Sequence, residues 1–262
     1  MKVGISSSCF YPENVEDGFK KVGELGAKTA ELFFNSPSET KPPILSELKS
    51  IREYYGIDVR TVHPCTSGFE SFFFFSTYDR RRYDGVEFYK NYFQAANEIG
   101  AEAVVFHGGK NNKYIEPEFY AECYSLLADA AKEQGVVMAH ENVNKFLCSD
   151  PEYMKKVGDF IGEDFRIVLD IKQCRRSGFD EADFIRLFGD KIIQVHISDY
   201  TAQRDCVPPA QGEYDFTKLF SLLKNAGYDK TALIELYSHS YNEAEELKTA
   251  MDFLNKTNAA EV

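Results

Sequence analysis

Glu141, Asp170, His196 and Glu235 each stand at the polar end of a short apolar run, in VVMAHEN, RIVLD, IIQVHISD and TALIELY. Three carboxylates and one imidazole make a mixed oxygen and nitrogen shell suited to a divalent cation on an enzyme. A carboxylate buried without a partner is costly, and three close together repel until some are protonated. One divalent ion removes that conflict; Mn²⁺ is the first choice and Zn²⁺ the next, with Co²⁺ and Mg²⁺ also compatible. Singly, each residue reads as readily as a helix-cap partner or a rim ion pair. Their recurrence at the same end of successive runs is what points to a site.

The four runs follow one another about every 25–40 residues with a helical stretch between. Short apolar runs bounded by turn residues, the mark of buried parallel strands, occur at 3–7, 29–34, 58–63, 101–107, 136–141, 166–170, 192–197 and 232–236. Between them lie patterns of helical period, clearest in Val86, Tyr89, Phe93, Ala96 and Ile99. Several helical stretches end on a glycine, as in EYYGID, NEIGAE and KEQGVV, where a left-handed cap is expected. Eight such units predict a (β/α)8 TIM barrel as one domain over residues 1–262, with the four residues at one mouth. An open doubly wound sheet is the alternative, but no GxGxxG follows the first strand.

The length of 262 residues fits one such barrel. A formal charge of −12 argues against a nucleic-acid partner, since tracking phosphates needs clustered Lys and Arg. A small polar substrate fits better. No basic, apolar and small-residue succession opens the chain and no apolar stretch nears a membrane span, so a cytoplasmic protein with no membrane partner is expected. The six cysteines are widely spaced with no CxxC pair, which predicts reduced, packing thiols.

The motifs VHP (62–64), VVFHGG (104–109), HEN (140–142), VLD (168–170), VHISD (195–199), PPAQGEYDF (208–216) and IELY (234–237) resemble those of the xylose isomerase-like barrel superfamily of sugar and sugar-phosphate isomerases and epimerases. The likeness extends along essentially the whole chain. It implies that Glu141, Asp170, His196 and Glu235 bind one divalent ion, that Glu141 and Glu235 also exchange protons with substrate, and that the protein is a homo-oligomer. It further implies that His63 and His107 line the substrate pocket; capping of their own strands is the alternative for both. Where many ketose epimerases carry a histidine, three residues after Asp170, this chain has Gln173, which can hydrogen-bond a sugar hydroxyl but is a poor metal ligand. In the loop after the seventh strand, Arg204, Asp205 and Cys206 stand where the DNA-repair branch carries Asp-x-His. The class II apurinic endonucleases need those additional ligands, so that activity is the least favoured. Arg204 is carried as a substrate contact.

Lys110, Lys172, Arg175 and Arg176 also follow strands and could hold a phosphate, or be solvated loop charges. His140 neighbours Glu141, so alternation sends it toward the helices as a packed histidine. The run Phe72 to Phe75, preceded by Phe69, is expected to wall the substrate, meet a second subunit or pack beneath the following helix. The reaction class implied is proton abstraction next to a carbonyl through an enediolate, with return to the opposite face inverting a centre and return to the neighbouring carbon giving an isomer. An inosose-type dehydratase would begin the same way and then expel water.

Overall fold

Each of the eight apolar runs forms a strand in the computed structural model, which describes residues 1–260. The strands are β1 (Lys2–Ser6), β2 (Thr29–Phe34), β3 (Asp58–Pro64), β4 (Ala103–Phe106), β5 (Val137–Glu141), β6 (Ile167–Asp170), β7 (Ile192–Ile197) and β8 (Thr231–Ile234). They pair in sequence order, all parallel, and β8 closes on β1 through Ile5 opposite Ile234. The strands end a residue or more earlier than their apolar runs in β4 and β8, which places His107 and Glu235 just past the ladder, where the chain turns over the mouth. Glu235 is still tied in, its N–H donating to Ile197 O at 3.0 Å.

Ten helices cover the barrel among the described residues: α1 (Val15–Glu24), α2 (Ile44–Tyr55), α3 (Ser67–Phe73), α4 (Asp79–Ile99), α5 (Pro117–Glu133), α6 (Pro151–Ile161), α7 (Ile171–Ser177), α8 (Glu181–Phe188), α9 (Phe216–Asn225) and α10 (Glu245–Ala260). The stripe expected on α4 is buried at Tyr89, Phe93, Ala96 and Ile99, and the helix stops at Gly100 in the left-handed conformation. None of the described helices is long and apolar enough to cross a membrane. All six cysteines are free, five of them buried.

Most apolar burial lies between strands and helices. The barrel interior is divided. On the β4 to β7 side, Ala103, Val105, Ala139, Val168 and Ile193 form a small apolar cluster of their own. From β2, β3 and β7, the polar side chains of Glu31, Thr61, Gln194 and His196 instead hydrogen-bond one another. Within the phenylalanine run, Phe73 and Phe74 pack under the following helix against Phe88 and Tyr89, Phe74 also meets Phe106 of β4, and Phe75 lies against Tyr120 of α5. Phe69 and Phe72 stay exposed, and no member of the run lines the cavity at the barrel mouth.

Candidate metal centre and its cavity

Four parallel strand ends deliver Glu141, Asp170, His196 and Glu235 to one point, with a ligand atom of each within 4.8 Å of the others. Asp170 and His196 are register partners on adjacent strands. His196 Nδ1 lies 3.4 Å from Glu141 Oε1 and 3.5 Å from Glu235 Oε2. Asp170 is nearly fully buried, yet its Oδ2 makes no hydrogen bond. That oxygen has the Lys172 ammonium 3.2 Å away on one side, and with two more carboxylates and an imidazole beside it the donor set fits a divalent cation by its chemistry.

Local structure explains how Asp170 is held. Its Oδ1 caps α7 by accepting from Gln173 N at 3.0 Å. Asn142, the last residue of HEN, bridges to the same residue: Asp170 N donates to Asn142 Oδ1 at 2.7 Å and Asn142 Nδ2 donates to Asp170 O at 3.0 Å. With Oδ1 committed to the helix, Oδ2 is left for the site. Lys172 then reaches back, its Nζ 3.2 Å from Asp170 Oδ2 and 3.1 Å from Glu235 Oε2, with the side chain buried. The sequence offers Lys172 as a loop charge or phosphate contact; the structure makes it a buried counter-ion.

Glu141 faces two groups at once. Its second oxygen, Oε2, lies 3.0 Å from His107 Nε2 and 3.3 Å from His63 Nε2, and the two ring nitrogens are 3.0 Å apart. These three residues bring ligand-type atoms as close together as the first four do. They line a cavity of about 350 Å³ together with Glu235, Lys172 and Gln173, under a wall that includes Phe33, Leu236 and Tyr237. Gln173 is fixed there by accepting from Asn144 N at 3.1 Å.

Arg204 is not brought to this cavity. Its guanidinium donates to Ser240 O at 2.6 Å, and it lines a neighbouring groove with Arg176, Asp205 and His239. Arg176 is paired with Asp205 at 2.6 Å, and Arg175 stacks on Tyr200. The register of this loop is set by the pairing of Asp199 with Val207, which is not legible from the sequence. His140 faces the helical layer, stacked on Tyr124 and in contact with Tyr120 Oη.

Two buried glutamates escape the sequence reading. Glu31 on β2 touches His196, with Nε2 3.1 Å from its Oε2. Glu70 on α3 accepts from the N–H groups of His107 and Gly108 at 2.9 and 2.6 Å, and so shapes the loop that carries His107. The available signal was a charged residue inside an apolar run, TAELFF, and an acidic residue within a phenylalanine-rich one.

Burial and pairing set the charges. Burial disfavours the charged form of Glu141, but hydrogen bonds from His107, His196 and His63 hold its carboxyl well below the usual range. Glu235 is likewise opposed by burial and brought down to about 2 by Lys172 and His196. Asp170 is lifted by burial to about 6, only partly offset by Lys172. Burial would depress His63, yet the Glu141 hydrogen bond and the Glu31 charge raise it to about 9. His196 also rises, against its burial, through Glu31 and Glu235. A cation entering this site displaces protons from its imidazole ligand, so its affinity depends on pH.

A family model described as xylose isomerase-like TIM barrel matches residues 19–257. An uncharacterised protein of Methanocaldococcus jannaschii is 27% identical over 254 residues, covering 90% of this chain and 83% of that one. An inosose isomerase of Halalkalibacterium halodurans is 26% identical over 156 residues, 53% of this chain and 55% of its own length. A D-tagatose 3-epimerase-like protein superimposes with a TM-score of 0.84 at 22% identity, over 100% of this chain and 98% of that one. The IolI protein with a bound zinc atom gives 0.80 at 19% identity, over 100% and 99% of the two chains.

Proposed function

This chain belongs to the xylose isomerase-like TIM barrel family, and from that premise we propose that it is a metal-dependent sugar isomerase or epimerase acting on a monosaccharide or its phosphate. The observation that carries the proposal is the convergence of Glu141, Asp170, His196 and Glu235 on one point, with Glu141 and Glu235 opening onto the cavity. The inosose isomerase and the D-tagatose 3-epimerase-like protein among the similar proteins support this substrate class, and the zinc atom in the IolI protein puts Zn²⁺ beside Mn²⁺ as the first ion to test.

Glu141, Asp170, His196 and Glu235 would hold the ion, which when bound supplies Lewis-acid polarisation of a carbonyl and its neighbouring hydroxyl. The proton transfers fall to this chain's own side chains. Glu141 from β5 and Glu235 at the end of β8 stand three strands apart around the barrel. One removes the proton from the carbon next to the carbonyl, and the other returns a proton. Return to the opposite face of that carbon inverts it, and return to the neighbouring carbon exchanges ketose for aldose. His63 and His107, in contact with Glu141, are assigned to substrate oxygens, as is Gln173. Phe33, Leu236 and Tyr237 restrict water over the reacting carbon.

The test is deuterium incorporation beside the carbonyl when candidate ketoses are incubated in D₂O with saturating Mn²⁺ or Zn²⁺. Wild type is expected to exchange, and Glu141→Gln and Glu235→Gln to lose turnover by at least about 10²-fold, because an amide cannot accept the proton. Either variant turning over near the wild-type rate with metal bound would sink the two-carboxylate mechanism.

A further inference from the structure

We propose that Glu31 is the positioning residue of this metal centre, fixing a proton on His196 Nε2 so that Nδ1 is the atom presented to the ion. The inference rests on reading Glu141, Asp170, His196 and Glu235 as metal ligands.

Glu31 has no solvent exposure and sits in the middle of β2. An acid has no cheap reason to be there, since a buried charge without partners is among the most costly groups a core can contain. It is instead fully partnered. Ser6 Oγ donates to Oε1 at 3.1 Å, while Thr61 Oγ1 and Gln194 Nε2 donate to Oε2 at 2.7 and 2.8 Å. The fourth contact is His196 Nε2, 3.1 Å from Oε2. Thr61 is delivered by register, directly opposite Glu31 on β3, and Gln194 by alternation, two residues before His196 on β7.

An ionised carboxylate only accepts, so the ring nitrogen facing it must carry the hydrogen. Gln194 Nε2 also lies 3.0 Å from that nitrogen, but its two hydrogens are directed to Glu31 and Thr61. The opposite nitrogen, Nδ1, is the one that faces Glu141 and Glu235. Glu31 therefore lies behind His196 as seen from the ligand group, to which it contributes no atom. A ligand imidazole whose other nitrogen donates to a carboxylate is locked in orientation and made a stronger donor, and losing that partner typically weakens metal affinity about 10–100-fold.

Glu31→Gln removes the charge at constant shape, and Thr61→Val removes a hydroxyl that touches Glu31 without touching His196. Zinc affinity is measured by competition with a chromophoric chelator. Glu31→Gln is expected to bind Zn²⁺ about 10–100-fold more weakly, with Thr61→Val close to wild type. In zinc-loaded wild type, ¹⁵N NMR of the His196 ring is expected to show the proton on Nε2 and the metal on Nδ1. Wild-type affinity in Glu31→Gln, or a proton found on Nδ1, overturns the proposal. If Glu31→Gln does not fold, the NMR measurement on wild type decides alone. A wild type that takes up no Zn²⁺ or Mn²⁺ would remove the metal reading and this inference with it, whereas zinc held equally by wild type and Glu31→Gln removes only the inference.

Discussion

Lys172 bridges two carboxylates from a side chain that is only 4% exposed, so a permanent cation already stands at the edge of the site. Burial works against its charge, but Asp170 and Glu235 hold its ammonium proton well beyond the usual lysine range. Lys172→Met leaves those two carboxylates without their counter-ion. The metal-free variant is expected to lose about 3–5 kcal/mol, the usual result of breaking a buried ion pair from one side. Urea unfolding with and without Zn²⁺ checks it; a metal-free variant as stable as wild type would show that the pair contributes nothing. The histidines make a second test at this scale. Burial pushes His140 down to about 3, so its contribution to stability is present above its ordinary value of 6.5 and is lost as pH falls toward 3. His63 runs the other way, raised to about 9, so its contribution is present below 6.5 and is lost as pH rises through 9. In metal-free protein at pH 7, NMR should find His140 neutral and His63 protonated; the reverse assignment would contradict the packing given for both rings.

Strand ends and the first turns after them do most of the positioning. Asp170 closes β6 and opens α7, and Asn142 bolts the end of β5 to it through two hydrogen bonds. The HEN and VLD motifs are therefore one structural unit as well as two ligand carriers. After β4, the HGG turn depends on Gly108, whose φ of +88° is left-handed and whose absent Cβ would lie 1.8 Å from Tyr120 Oη. Tyr120 is fully buried and cannot withdraw. Gly108→Ala is expected to destabilise the protein by more than about 1 kcal/mol and to weaken substrate binding by shifting His107. Thermal unfolding and a KM measurement check this, and a variant with wild-type values for both would show that the turn tolerates a side chain.

The closed barrel as a whole separates an apolar β4 to β7 side from a polar β2, β3 and β7 side, and the site stands over both. Because an ion bound only by the folded chain stabilises it by mass action, metal at 100 times its Kd should add about 2.7 kcal/mol. The melting temperature should rise by several degrees with Zn²⁺ or Mn²⁺ and fall on chelation; a melt insensitive to both would exclude a specific centre. The sequence alone determined the eight-unit barrel and the common end of its strands, because apolar period, glycine caps and run spacing are local properties of the chain. It also marked Glu141, Asp170, His196 and Glu235, since a polar residue closing a buried strand is visible without neighbours. Tertiary structure alone decided the partners. Glu31 meets His196 only because barrel closure brings β2 and β7 to one interior, 165 residues apart in the chain. Lys172 turns inward because Asp170 spends one oxygen on a helix cap, and Arg204 turns away because an antiparallel bridge between Asp199 and Val207 fixes its loop. Those outcomes depend on distances between strands and on competing hydrogen-bond partners, which no local pattern in the sequence encodes.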